Sequence, residues 1–325
     1  MTEPTTTAEP YAEALVTAEA QAQDVIADNL TALIFTLWTA FVAESAFYAG
    51  EAVAEFGRRV ATYVIAAQRQ AGLITEAHLR EQMRDMGLVL PPSSVLDLPA
   101  DLRLGAATDD VYQRPIRQVR YLESTGVPLA EAVQTATERL EKTALRDLGL
   151  ARATSAQQLM YSLPDDTPVG PVRGYRRIIH PELGAVCGLC IAASDRIYKK
   201  RDLLPLHPAC RCTVIPVIGV QDPGGTLNAE DLARIYAAAG GTTSTEALRQ
   251  TRFSIKENGE LGDVLVAVGE QRTTAEQALD RLSDRAKQMR REQLARQIEE
   301  LRPRAERSQW HADRLEQLQD LLRSA

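Results

Sequence analysis

The sequence predicts a mainly α-helical protein with a small β-containing central module, an α+β arrangement with long N- and C-terminal helices. Apolar residues recur at steps of three and four toward both ends of the chain, which is the helical period. Two short runs rich in Val and Ile lie between these parts, and all four cysteines fall within residues 187–212 of the 325. Clusters of turn-forming residues at 164–171 and 222–225 bound this central module.

Composition and charge exclude two broad classes of protein. With 45% hydrophobic and 25% charged residues the chain is too apolar to be wholly disordered, and a net charge of −7 excludes a polycation that coats nucleic acid. The charge is unevenly placed, because residues 1–60 hold nine acidic and two basic residues, whereas residues 170–220 hold eight basic and three acidic ones. We expect this acidic arm and this basic module to meet different surfaces.

The N-terminal long-helix region comprises residues 1–87. The apolar stripe that starts at Tyr11 predicts one long helix or a helix pair, with breaks or kinks expected at Gly50 and Gly57. A separate short helix is expected at its end, with Thr75 as the N-cap and Gly87 at the C-terminal cap.

An uncharged run near the N-terminus raises the question of a membrane segment. Fifteen uncharged residues separate Asp28 from Glu44, fewer than the roughly 20 that a spanning helix needs, so a buried helix is favoured and membrane contact is not expected. The first residues are acidic and lack the basic n-region of a secretory signal. In a chain made in the cytoplasm, clustered cysteines favour metal or redox chemistry over a disulfide framework.

The linker and helical region comprises residues 88–168. Gly149 is expected to end one of its helices. The elements predicted in it are a Pro-, Ser- and Asp-rich linker at 88–108 and helices over 109–125, 128–148 and 152–162.

The rest of the chain divides into three predicted regions. They are a Cys/His module with short strands at 169–220, a small helix plus β-hairpin at 221–272, and C-terminal helices at 273–325. In the first of them, residues 172–179 and 211–218 predict strands, and Pro216 favours a sheet edge or a strand end. Asn228 is the expected cap of a helix over 228–239.

Two turn signals mark the regions that follow. The Asn258-Gly259 pair predicts a hairpin turn between short strands at 252–256 and 263–268. Pro303 is expected to end or kink the C-terminal helical stretch that starts near Thr273.

The cysteines carry the most specific chemical signal. Cys187 and Cys190 are spaced as a zinc-knuckle pair, and Cys210 and Cys212 alternate along a predicted strand, so that their side chains share one face. His207 precedes them, which gives five candidates for the four positions of a tetrahedral Zn²⁺ site. Such a site is closed and therefore structural, and which four residues bind stays open. His180 is a weaker sixth candidate.

Other interpretations of the cysteines remain open. They are buried reduced thiols, disulfides formed after release from the cell, or a Cys–His nucleophile pair. The sequence has no Walker loop and no GxGxxG, GxSxG or HExxH motif, so no catalytic residue is predicted. His78 and His311 lie on predicted helices without a partner motif and are expected at the surface.

Basic residues surround the cysteines and offer contacts to nucleic-acid phosphates. Few aromatic residues are interleaved with them, which favours a solvated face, or pairing with a partner's acidic patches or the acidic N-terminal arm, over nucleic-acid binding. The residues are Arg173, Arg176, Arg177, Lys199, Lys200, Arg201 and Arg211.

The stretch from Tyr175 to Pro216 resembles the signature of phage Mu F-like minor head proteins, also called head morphogenesis proteins. The signature has a CxxC element, a short strand region and a Pro-x-His-Pro-x-Cys-Arg-Cys segment before a strand ending in Pro. The matching residues here are Cys187, Cys190, Ile197, Tyr198, Pro205, His207, Pro208, Cys210, Arg211, Cys212 and Pro216. The segment Ser194–Tyr198 is similar to chains from tailed phages of actinobacteria.

This resemblance implies a non-enzymatic minor capsid protein in the virion, located at the portal vertex of the phage head. The implied partners are the portal protein, the major capsid protein or both, with packaged DNA as a further contact of the basic residues. The resemblance also implies an oligomer around the portal and a role in procapsid assembly, DNA packaging or ejection. A cysteine-type capsid maturation protease or other enzyme is one alternative, and a zinc-dependent nucleic-acid-binding module is the other.

Overall fold

The computed structural model describes residues 8–88, 90, 97–180, 190, 193–194, 196–203, 210–229, 253–258, 262–267 and 284–324. The protein is mainly helical with a small antiparallel sheet, which confirms the predicted fold class. It divides into two compact units, each assembled from three separate stretches of chain. The first unit comprises Met1–Asp24, Leu73–Leu96 and Ala153–Ala275, and the second comprises Val25–Gly72, Asp97–Arg152 and Glu276–Ala325.

The N-terminal region forms a pair of long helices, α1 (Ala8–Ala43) and α2 (Gly50–Asp85). The predicted break is therefore confirmed, and it lies directly before Gly50. Gly57 does not break α2; a Cβ atom there would lie 2.6 Å from the Asp109 carbonyl oxygen, so glycine permits close packing at this point.

The separate helix expected from Thr75 is wrong, because α2 continues through that residue. Thr75 is buried and donates a hydrogen bond to Glu19 at 2.9 Å while it accepts one from Gln23 at 3.1 Å. The expected C-terminal cap is confirmed: Gly87 has φ +87°, and the bonds from its N–H and the next N–H to Arg84 and Met83 form a Schellman motif.

Two further helices follow, α3 (Thr108–Ser124) and α4 (Leu129–Ser162). The prediction that Gly149 ends a helix is wrong, since α4 runs through it and includes the helix predicted at 152–162. Gly149 is buried, and the buried positions Leu148 and Ala151 around it continue the packed face of α4. Tertiary packing thus outweighs the local preference of glycine for a helix end.

A four-stranded antiparallel sheet follows in the first unit. The longest strand, β2 (Gly170–Ile178), pairs with the other three, which are β1 (Asp166–Thr167), β3 (Ile197–Tyr198) and β4 (Thr213–Ile218). Both predicted strands are confirmed. A bulge at Gly174, with φ +143°, brings its Cα close to the Tyr198 carbonyl, where a Cβ would lie only 2.0 Å away.

The two faces of this sheet pack against different residues of the first unit. Tyr175, Ile179 and Val214 belong to a large apolar cluster that also contains side chains of α2 and α4. Ile178 and Ile215, on the other face, pack with Val16 of α1. Alternating strand residues thus serve two cores, as the pleat requires.

A short helix, α5 (described over residues 223–229), comes directly after the sheet. Asn228 lies inside it, so its predicted role as an N-cap is wrong. Its buried side chain instead accepts a hydrogen bond from Ile179 N at 3.1 Å and donates to the carbonyls of Arg177 and Ser194 at 2.6 and 3.2 Å. The predicted hairpin is confirmed as β5 (Phe253–Asn258) paired with β6 (Gly262–Ala267).

The chain ends in α6 (Asp284–Ala305) and α7 (Gln309–Ser324). Pro303 lies in the last turn of α6, which ends two residues later. In the second unit, α6 contacts residues 97–107 through two buried glutamines: Gln293 donates to Asp101 at 2.9 Å, and Gln297 accepts from Gly105 N at 2.9 Å. Residues 97–107, at the end of the predicted linker, thus form a surface on which α6 packs.

Aromatic and polar clusters form the interior of the second unit. Trp38, Phe41, Phe47 and Phe56 pack with ring centroids 5.1 to 6.3 Å apart.

His311, expected at the surface, is buried and lies 3.4 Å from the Asp97 carboxylate, which corrects that prediction. The surface expectation fails because α7 places the ring beside residues 97–107, more than 200 positions earlier in the chain.

Candidate metal centre

Three of the four cysteines meet beside the sheet of the first unit. Cys190 is helical, whereas Cys210 and Cys212 lie in the irregular segment directly before β4. Their Sγ atoms all lie within 4.8 Å of one another, and those of Cys190 and Cys210 are 3.8 Å apart. All three carry their sulfur as a thiol and not in a disulfide.

The separation of the sulfurs fits a shared metal ion better than a disulfide. A tetrahedral Zn²⁺ with Zn–S bonds of about 2.3 Å places its sulfurs roughly 3.8 Å apart. A disulfide instead needs a separation of about 2.05 Å. The three cysteines therefore have the residue type and spacing to hold a soft, thiophilic metal ion.

Apolar residues of the first unit enclose most of this cluster. Cys190 and Cys210 are only 3% and 5% exposed and belong to the apolar cluster of the first unit, while Cys212 packs against it. A hydrogen bond with Cys190 lowers the pKa of the Cys212 thiol, but a hydrogen bond with Cys210, burial and the charge of Cys210 outweigh it and raise that pKa well above its usual value. Close thiols in an apolar setting thus resist losing their protons together unless a cation compensates the charge.

The core around the cysteines is built from distant parts of the chain. Leu79 and Met83 come from α2 and Leu159 and Met160 from α4, and all four are buried in the same cluster as Cys190. Tyr175 and Tyr198 stack on neighbouring strands with ring centroids 5.4 Å apart. The cysteine segment is thus held by the core of the whole first unit.

The other candidate ligands have different outcomes. Cys187 and His207 lie outside the described residues. His180 is buried with its Nε2 atom 2.9 Å from Thr213 Oγ1, and it is not a member of the three-cysteine cluster. In the described structure this contact links the residues at the end of β2 to the start of β4.

Several bases of the basic module pair within the first unit. Arg176 forms a bidentate pair with Asp222, with its shortest N–O distance at 2.6 Å. Partial burial raises the pKa of Asp222, but the bonds from Arg176 and Gly225 outweigh it and keep the pKa below its usual value. Arg211 pairs with Asp24 of α1 at 3.1 Å, which is one contact between the basic module and the acidic N-terminal arm.

The remaining bases are distributed between surface and interior. Lys200 contacts Asp165 at 3.2 Å, whereas Arg173, Lys199 and Arg201 are exposed. Arg177 is buried, with 3% of its surface exposed. Sequence reasoning grouped Arg177 with the surface bases and assigned Asn228, which donates a hydrogen bond to the Arg177 carbonyl, to a helix cap. Strand alternation, which places Arg177 on the face of Tyr175, was the available signal for its burial.

By length and composition, one described helix, over Tyr11–Ala43, passes as a membrane span, and 28% of its most apolar window is buried. The core helix of a protein in water and a signal sequence near the N-terminus pass the same test.

The fold and the cysteine cluster define a mainly helical protein with a small antiparallel sheet and a three-cysteine site able to hold a metal ion. No protein-family model, curated protein or solved structure matches the chain.

Proposed function

We propose that this protein is a portal-associated minor capsid protein of a tailed phage, in which a structural zinc ion stiffens the sheet of the first unit. The observation that carries the proposal is the convergence of Cys190, Cys210 and Cys212. These residues lie in the stretch that resembles Mu F-like head morphogenesis proteins. The same stretch supplies the last four residues of β2, the whole of β3 and the first four residues of β4, so the motif and the paired part of the sheet overlap.

The role of the zinc ion follows from the site. With two cysteines buried and the third packed on the same core, the thiolates are placed to hold a cation and are poorly placed to attack a large substrate. This supports a structural role over a cysteine-type protease. Cys187 and His207 remain the candidates for the fourth ligand.

Long helices support an assembly role. Exposed aromatic side chains at Tyr48 and Tyr121 lie in the second unit and suit contacts with other virion proteins. The pairing of Arg176 with Asp222 and the burial of Arg177 leave fewer of the basic residues for DNA. The contacts therefore favour protein partners, with the portal proposed first and the major capsid protein second.

The metal part of the proposal is tested on the full-length chain by elemental analysis after purification without chelator. The wild type and an exposed control, Ser124→Ala, should carry about one zinc ion per chain, whereas Cys190→Ser and Cys210→Ser should carry much less. A wild-type chain that is folded and free of zinc, even after incubation with it, would contradict the metal centre.

The portal part is tested by capture on the immobilised cognate portal protein. Wild type and Ser124→Ala should be retained, and retention should survive 0.5 M salt if protein contacts dominate, whereas a DNA-mediated contact would be lost with salt and with nuclease treatment. No retention of the folded, zinc-loaded chain would contradict the portal role while leaving the metal centre standing.

A further inference from the structure

Four arginine side chains come together in the second unit, from the segment before α3 and from the helices α3, α4 and α6. This arginine cluster consists of Arg103, Arg114, Arg139 and Arg290. Arg139 of α4 donates a hydrogen bond to Gln118 at 3.2 Å, and Gln118 lies one helical turn after Arg114 on α3. Residues one turn apart share a helix face, so Arg114 and Arg139 lie on facing sides of α3 and α4.

The other two arginines reach the same place from outside this helix pair. Arg103 donates to the Thr143 carbonyl at 3.4 Å, one turn after Arg139 on α4. Arg290 of α6 packs over the segment that carries Arg103, because a Cβ atom at Gly105 would lie 3.1 Å from its Cγ atom.

The charges of these arginines act on one another. Although part of Arg139 is exposed, desolvation by its neighbours lowers its pKa, and the charges of Arg114 and Arg103 lower it further. Desolvation also lowers the pKa of Arg290, again with a contribution from the charge of Arg114. Because like charges repel more strongly where water is partly excluded, the cluster costs free energy unless an anion compensates it.

The carboxylates of the second unit compensate the cluster only in part. The pairs that they form are Arg103 with Asp147 and Arg114 with Asp110, which also pairs with Arg117. Within the part of the chain that the structure describes, neither Arg139 nor Arg290 has a carboxylate partner. The Nε atom of Arg290 is also buried with no hydrogen-bond partner among these residues. Positive charge and an unused N–H donor thus remain at the cluster.

We propose that the arginine cluster binds a phosphate group, held by the guanidinium groups of Arg139 and Arg290 with Arg114 beside them. A tetrahedral phosphate directs its acceptor oxygens toward several guanidinium groups at once, whereas a planar carboxylate suits a single guanidinium fork. The phosphate group belongs to a small anion or to a nucleic-acid backbone, and the chemistry of recognition is the same for both. The proposed site lies in the second unit and does not depend on the metal centre or on the portal role.

The test titrates the full-length chain with sodium pyrophosphate in a calorimeter. Arg290→Gln removes the charge and keeps the Cγ atom that packs over Gly105, and Arg139→Gln removes the charge of an exposed residue. The matched control is Arg302→Gln, which removes an exposed arginine about 18 Å along α6 from Arg290.

We expect Arg290→Gln and Arg139→Gln to bind pyrophosphate about 10- to 100-fold more weakly than the wild type. Each variant loses charge-assisted hydrogen bonds to the phosphate oxygens, and a loss of that size follows from their usual strength. Arg302→Gln should bind pyrophosphate as the wild type does.

A short DNA duplex distinguishes the two sources of the phosphate group. If the cluster takes backbone phosphates, the duplex should bind to the wild type, bind more weakly to Arg290→Gln and be displaced by pyrophosphate. If the cluster takes a small anion, pyrophosphate should bind and the duplex should not displace it. Both results support a phosphate site.

Several results would overturn the inference while sparing the metal centre and the portal role. They are a folded wild-type chain that binds neither pyrophosphate nor the duplex, an unchanged affinity in Arg290→Gln, and an equal loss of affinity in Arg302→Gln. Tighter binding of a glutamate-rich peptide than of pyrophosphate would also contradict a phosphate site. If Arg290→Gln does not fold, Arg139→Gln decides alone, since weaker binding supports the site and unchanged binding contradicts it.

Discussion

A single buried carboxylate, Asp147, holds together the polar interior of the second unit. It accepts hydrogen bonds from Tyr112 at 2.8 Å and from Arg103 at 2.6 Å. Burial raises its pKa, and Arg103 and Tyr112 act in the opposite direction. Within the described structure, the buried Tyr112 hydroxyl and the Asp147 carboxylate therefore depend on each other, whereas Arg103 also donates to the Thr143 carbonyl at 3.4 Å.

Replacement of Tyr112 by phenylalanine tests this network. Tyr112→Phe should lower the free energy of unfolding by about 1–3 kcal/mol, because one of the hydrogen bonds to a buried carboxylate disappears. Urea denaturation followed by circular dichroism measures the change. The control is Tyr121→Phe on the same helix, where the ring is 66% exposed and little effect is expected; equal effects would contradict the network.

His311 should make stability depend on pH. Burial lowers its pKa and Arg304 and Arg307 add to this, although Asp97 opposes them. Because the folded state prefers the neutral ring, the contribution of His311 is fully present above the unfolded pKa of about 6.5 and is lost as the pH falls from there to the folded pKa.

The measurement is the difference between wild type and His311→Gln in urea midpoint at pH 7.5 and pH 5.5. The wild type should lose more stability on acidification than the variant does, since the glutamine does not titrate. Parallel losses would show that other groups account for the acid sensitivity.

Among the helices, close packing at Gly57 is the feature most sensitive to substitution. Gly57→Ala should destabilise the protein by about 1–3 kcal/mol, because the new methyl group would meet the backbone oxygen of Asp109 at 2.6 Å and must separate α2 from α3. This figure is the net effect, because the cost of the close contact outweighs the gain of roughly 1 kcal/mol that alanine has over glycine inside a helix. Gly50→Ala, with no atom within 4 Å of its added Cβ, is the control and should be neutral or stabilising in thermal unfolding.

The periodicity of apolar residues predicted most of the described helices and strands, because a helical stripe or a strand run is a local signal in the sequence. It failed where a residue's partner is far away in the chain. Thr75 looks like a cap, yet it bonds to Glu19, 56 positions earlier. Gly149 looks like a helix end, yet it is buried within α4.

The three-cysteine cluster was predictable to a similar extent. The spacing of the cysteines anticipated that Cys190, Cys210 and Cys212 would converge. The apolar partners from α2 and α4, such as Leu79 and Met160, could not be anticipated, because nothing in local spacing says which distant helix covers a short sheet.

For the whole molecule, removal of the proposed zinc ion should affect the two units differently. Excess chelator should raise hydrogen exchange in β2 and β4, since an ion present at 1,000 times its dissociation constant contributes about 4 kcal/mol to folding. Exchange in α3 and α7, which belong to the second unit, should change much less. Mass spectrometry of peptides from both units measures this, and equal increases throughout would contradict a stabilising role confined to the first unit.

The interleaving of the two units has a consequence for inheritance. Because each unit draws on three separated stretches of chain, no single crossover in the gene can transplant one of them complete into another protein. A fragment limited to residues 169–220 would leave behind Leu79, Met83, Leu159 and Met160, and with them much of the apolar cover of the cysteines. Recombination between related genes should therefore give a folded protein chiefly when the whole gene is exchanged.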